Sequence, residues 1–131
     1  MDEIVVQTMI NPTEDLAKVK HAIENIFGSA LEIKIPAEGA KLIAKTKDLG
    51  NLAKLRELLR RERIRDAARK LLLKKVRGKT ITFFLNKQVA YAGHVSFCEE
   101  FAESPLGPLR IQIKTDDPLK LINWIAPPQV K

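Results

Sequence analysis

Few residues in this 131-residue chain have the type and spacing for covalent or acid–base chemistry. Cys98 and His94 are the only pair that suggests a thiolate with its base. On a strand, residues four apart point the same way but stand roughly 13 Å apart, beyond proton-transfer reach. Cys98 therefore reads as a small apolar residue. Two histidines and one cysteine do not make a four-ligand zinc site. Glu99-Glu100 and Asp116-Asp117 are adjacent carboxylates whose side chains diverge, which suits surface and helix-start roles. No glycine-rich phosphate loop, dinucleotide fingerprint, nucleophile elbow or zincin pattern occurs. The sequence predicts a protein that is not an enzyme and needs neither metal nor cofactor.

The chemistry that remains is charge. Residues 49–79 hold twelve Lys/Arg against three acids, Glu57, Glu62 and Asp66, a local net charge of +9. The rest of the chain holds eleven bases and thirteen acids, so the positive charge is confined to one stretch. Confined positive charge attracts polyanions, nucleic acid above all. Heat-adapted surfaces also carry about this much charge, but their ion-pair networks need both signs. Read as helix, the stretch places Arg56, Arg60 and Arg63 on one ridge, Arg61, Arg65 and Arg69 on a second, and Lys70, Lys74 and Arg77 on a third. Guanidinium groups on rigid helices suit phosphate oxygens, which fix position without specifying sequence. Lys87 is a further candidate for phosphate, and Gln88 or Tyr91 for contact with bases. The competing readings are a solvated helix face for the charge run and core packing for Tyr91. Phe83, Phe84 and Tyr91 do not form the stacking motif of the common sheet-based RNA module.

The elements that must hold these groups follow from periodicity. Residues 3–10 are β-branched and apolar, a strand that ends at Asn11-Pro12. Leu16, Val19, Ile23, Ile26 and Phe27 recur at helical spacing, giving an amphipathic helix over residues 13–27 stopped by Gly28. Leu31, Ile33 and Ile35 alternate with charges in a strand over residues 30–36, and residues 40–46 return as its hairpin partner. From residue 49 to 76 the period is helical, with a break favoured near residues 63–65 because Asp66 would complement a new helix N-terminus; Gly78 closes the region. Residues 80–85 form a strand, Asn86-Lys87-Gln88 a polar loop, residues 94–98 a short strand, 104–108 a loop and 109–113 a last strand. Asp117-Pro118 opens a helix over residues 119–125.

The expected fold class is α+β, a largely antiparallel sheet with helices packed on one face, in the order β-α-β-β-α(α)-β-β-β-α, as a single domain over residues 1–131. A single cysteine excludes an intrachain disulfide and favours a reducing, cytoplasmic setting. The N-terminus lacks signal-peptide character and no apolar run approaches a membrane span, so no membrane partner is expected.

Several blocks in combination resemble a known family: residues 11–15, 63–69, 84–91, 103–108 and 122–127, the middle ones pairing Asn86-Lys87-Gln88 and Ala90-Tyr91 with Ser104-Pro105-Leu106-Gly107-Pro108. They are similar to an archaeal family of uncharacterised proteins regarded as RNA-binding and as candidate exosome-associated subunits. The resemblance spans nearly the whole chain. It implies a fold like that of the five-S-rRNA-binding ribosomal protein, an archaeal cytoplasm, a candidate homodimer, and RNA or ribonucleoprotein partners. It brings no catalytic role to Arg65, Asp66, Arg69, Asn86, Lys87 or Gln88. Together these observations point to an RNA-binding module that uses Arg60, Arg61, Arg63, Arg65, Arg69, Lys70, Lys74, Lys87, Gln88 and Tyr91. The alternative is a protein-interaction or dimerisation domain, in which the acidic stretch Glu99, Glu100 and Glu103 meets basic helices of a neighbour. A third reading, an enzyme with an unrecognised carboxylate, would require a closed charged pocket.

Overall fold

The computed structural model describes residues 2–29, 31–36, 41–99 and 107–128. Among these residues seven strands form one antiparallel sheet: β1 Glu3–Met9, β2 Glu32–Lys34, β3 Lys41–Thr46, β4 Val76–Arg77, β5 Thr80–Asn86, β6 Phe97–Cys98 and β7 Pro108–Lys114. Their order across the sheet is β2-β3-β1-β7-β5-β4, with β6 pairing the other end of the β5 edge. Among the described residues five α-helices accompany it: α1 Leu16–Phe27, α2 Ala53–Arg61, α3 Arg65–Lys74, α4 Lys87–Tyr91 and α5 Pro118–Ile125. The fold is therefore α+β with a largely antiparallel open sheet, as the periodicity implied.

The period-two pattern sorts each strand between two environments. Ile4, Val6, Leu42, Ala44, Ile81, Phe83, Leu85, Leu109, Ile111 and Ile113 are buried, and they meet Val19, Ile23, Ile26, Phe27, Leu55, Leu59, Leu72 and Ile122 from the helices in one core cluster. Register makes this consistent, because residues paired across strands share a face: Val6 lies opposite Ala44 and Ile111, and Phe83 opposite Ile111. The intervening residues, among them Val5, Gln7, Thr82, Phe84, Arg110 and Gln112, are only partly buried.

Local chemistry sets the helix ends. Asp15 caps α1 by accepting from the Ala17 amide at 2.9 Å, so the helix begins at Leu16 and not at residue 13. Gly28, with φ 79°, stops it, and Asn51 Nδ2 donates to the Phe27 carbonyl at 2.9 Å to satisfy its last turn. Asp117 caps α5 in the expected place. The long basic region divides into α2 and α3, with the break at residues 62–64. It ends sooner than expected: α3 stops at Lys74, and Val76 and Arg77 form β4, turned back into β5 through Gly78 and Lys79. Gly78 supplies the positive φ of 62° that so short a hairpin requires. Asn86-Lys87-Gln88 is not a polar loop either. Asn86 closes β5 and caps α4 by accepting from the Val89 amide at 3.1 Å. The short strand near residue 98 contains Phe97 and Cys98 only, which leaves His94 outside it. The turn at residues 37–39, and Glu100, Glu103 and Ser104 to Leu106 of the acidic stretch and loop, fall outside the described residues.

Candidate nucleic-acid interface

The corner between α2 and α3 is closed by a Schellman motif. The Ile64 amide donates to the Leu59 carbonyl at 3.1 Å, and the Arg63 amide to the Arg60 carbonyl at 3.2 Å. This motif needs a left-handed residue where the chain leaves the helix, and Arg63 takes it with φ 58°, the only positive-φ residue other than glycine among those described. A long cationic side chain thus occupies a position where glycine would be unstrained. Ile64 packs inward against the core, and Arg65 starts α3 with no side-chain cap at its N-terminus.

These turns bring Arg60, Arg63 and Arg65 around a cleft of about 180 Å³ that Asp66 and Pro127 complete. The expected long arginine ridges are not formed, because the corner redirects the chain between Arg61 and Arg65 and Arg77 lies on a strand. Three cations that a continuous rod would spread out converge instead. The acids of the segment offset them in part, Asp66 lying on the cleft lining itself. Glu57 pairs with Arg60, and each shifts the other's titration in the sense of a stabilised pair. Glu62 turns away, accepting from the Val95 amide at 3.4 Å and lying 3.5 Å from His94 Nδ1. Among the described residues, no ion pair or side-chain hydrogen bond engages the charged groups of Arg61, Arg63, Arg65, Lys70 or Lys74.

Arg69 and Arg56 are committed to the fold. Arg69 Nη1 donates to Asn123 Oδ1 at 2.7 Å and to the Ala126 carbonyl at 3.2 Å, strapping α3 to the end of α5. Arg56 Nε donates to the Trp124 carbonyl at 2.9 Å, and its guanidinium lies 5.4 Å from the Trp124 ring centroid.

Lys87 corrects the sequence reading. Its side chain has no exposure and cannot reach a phosphate. Nζ lies 2.6 Å from the Met9 carbonyl and 3.0 Å from Glu14 Oε1. Glu14 also accepts from the Asn11 amide and Nδ2 at 3.0 and 2.7 Å, and its Oε2 accepts from the Tyr91 hydroxyl at 2.6 Å. Burial alone would raise the Glu14 carboxyl, but the hydrogen bonds from Tyr91, Asn11 and Lys87 overcome it and bring the pKa down to about 2. Burial pushes Lys87 down against the opposing pull of Glu14, and burial together with the bond to Glu14 raises Tyr91 well above the ordinary phenol range. Tyr91 thus gives its hydroxyl to this latch between the end of β1 and α4, whereas Gln88 is exposed. The latch was invisible in the sequence because Glu14 meets partners 73 and 77 residues away.

Cys98 lies opposite Phe84 in the β5–β6 pair, with its thiol pushed up by burial and by Glu99. Among the described residues, no three His, Cys, Asp or Glu side chains come together as metal ligands, and no helix is long and apolar enough to cross a membrane.

A family model described as RNA binding matches residues 3–115. The chain belongs to this family. Its relatives include UPF0201 proteins of Sulfolobus acidocaldarius, 43% identical over 100% of this chain and 91% of the relative, and of Pyrococcus abyssi, 43% identical over 96% and 90%. A solved UPF0201 structure from Methanococcus jannaschii is 36% identical and superimposes with a TM-score of 0.83 over 98% of this chain and 95% of that one. The family is that of the resemblance noted in the sequence, and none of these matches is to a catalytic family.

Proposed function

We propose that this family member binds RNA without catalysis, holding the phosphate backbone at the α2–α3 corner. The observation that carries the reading is the convergence of Arg60, Arg63 and Arg65 on one cleft, with two of those guanidinium groups unpaired among the described residues. The N-terminal end of α3 adds amides not covered by a capping side chain and the positive end of its dipole. Arg61, Lys70 and Lys74 add further cations on α2 and α3, so about five phosphate contacts are expected. The whole chain acts as one domain. Gln88 remains a candidate for base contact, whereas Lys87, Tyr91 and Arg69 serve the fold first. A homodimer, an exosome or ribonucleoprotein setting, a cytoplasmic location and a ribosomal-protein likeness are supported by the family resemblance alone.

The test is fluorescence anisotropy with labelled single-stranded and duplex RNA across a salt series, using the native protein and a variant carrying Arg60→Glu, Arg63→Glu and Arg65→Glu. Five single-strand phosphate contacts give a log–log slope of roughly −3.5, and losing three of them should bring it near −1.4. An unchanged slope in a folded variant would remove the corner from the interface.

A further inference from the structure

The helices cover one face of the sheet, and the opposite face is built for something else. Among the described strand residues, register places Lys34, Lys41, Lys45, Arg77, Arg110 and Lys114 on it, with Glu3 and Glu32 as the acids. At its centre Gln7, Arg110 and Phe84 form one row across β1, β7 and β5, and Val5, Gln112 and Thr82 the next. Phe83 is buried in the core, so strand alternation turns Phe84 to this open side, where it is only partly buried. Gln7, Met9, Phe84, Pro108 and Arg110 line a hollow of about 170 Å³, and Met9 at its rim is 51% exposed. Among the described residues, no hydrogen bond or ion pair engages the side chains of Gln7, Arg110 or Gln112; Gln7 and Arg110 line the hollow, and Gln112 lies in the next row.

An aromatic face beside a guanidinium and two free amides is the set of groups that binds an unpaired base: stacking for its plane, amides for its edge and a cation for the adjoining phosphate. We propose that this face takes a single-stranded segment of RNA, one base stacking on Phe84 between Gln7 and Arg110. The inference rests on the RNA reading above and adds a second site with a preference for unpaired nucleotides. A second copy of the chain is a poor occupant, because the same face turned on itself sets six cations and two acids against the same excess of positive charge. A duplex would offer it phosphates but no exposed base plane.

The experiment compares a labelled 12-nucleotide oligouridine with a 12-base-pair RNA duplex, on the native chain and on Phe84→Leu, Phe84→Tyr and Arg110→Ala, each checked for folding by circular dichroism. Phe84→Leu should weaken the single strand roughly 5- to 100-fold, leave the duplex affinity and the salt slope unchanged, and be rescued by Phe84→Tyr. Arg110→Ala should weaken the single strand and lower the slope by about 0.7. Ultraviolet cross-linking of a 4-thiouridine oligonucleotide should mark peptides of β5 and β7. Equal losses on both RNAs, no loss, or cross-links confined to α2 and α3 overturn this proposal while leaving the corner site standing. Absence of RNA binding by the native chain sinks both readings, and binding of polyglutamate in its place assigns the face to an acidic protein.

Discussion

Arg63→Gly should stabilise the protein while weakening its hold on RNA. Arg63 sits at φ 58° in the Schellman turn after α2. A residue with a Cβ bears about 1–2 kcal/mol in the left-handed region, which glycine escapes. Glycine gives back about 0.5–1 kcal/mol through the greater freedom of its unfolded chain, so the net gain should be about 0.5–1 kcal/mol. For a chain of this length that raises Tm by about 2–4 °C. Arg63→Ala is the control, since it removes the same cation but keeps the strained backbone, and it should be the less stable of the two variants by the full conformational difference. Urea unfolding with a common m-value measures both. In the RNA titration each should lower the log–log salt slope by about 0.7, one lost phosphate contact. If Arg63→Gly is no more stable than Arg63→Ala, the left-handed corner is wrong, and with it the geometry that gathers Arg60, Arg63 and Arg65.

The Glu14 latch predicts an acid transition. The folded carboxyl titrates near 2 against an ordinary 4.5, so its stabilisation is complete above about pH 4.5 and is lost as pH falls toward 2, a change of about 3 kcal/mol measurable by denaturant unfolding at each pH. Lys87→Met leaves the Glu14 carboxylate buried without its cation and should cost about 3–5 kcal/mol, with partial recovery when Glu14→Gln is added. Tyr91→Phe removes one charge-assisted bond to Glu14 and should cost about 1.5–3 kcal/mol, measured by urea unfolding, while leaving RNA affinity intact. Arg69→Ala should lower stability by about 1–2 kcal/mol through loss of the α3–α5 strap, with the RNA salt slope within error of the native value.

Much of the architecture was legible in the linear pattern, since alternation and helical spacing are local properties. The strands at residues 3–9 and 108–114, the helix stopped at Gly28 and the division of the basic region near Arg63 all follow from near neighbours. The errors share a cause. Val76 continued a helical stripe but joined the sheet because β5 offered it a ladder partner in Ile81. Asn86-Lys87-Gln88 looked polar and therefore loop-like, yet Asn86 is a helix cap and Lys87 is buried. Composition has no access to the carboxylate that lets a lysine go inside.

By itself the sequence determined the fold class, the confinement of positive charge to residues 49–79 and the family, because charge, periodicity and motif are carried by the residues themselves. Which cations are available was decided only by the tertiary structure. Arg69 and Arg56 are spent on the end of α5, Lys87 on Glu14, and Arg60, Arg63 and Arg65 are drawn together by one left-handed turn. The same holds for the open sheet face, where Gln7, Phe84 and Arg110 stand far apart in the chain and become neighbours through strand register alone. Hydrogen bonds and ion pairs depend on distances of a few ångströms, and for residues remote in sequence those distances are set by packing and register.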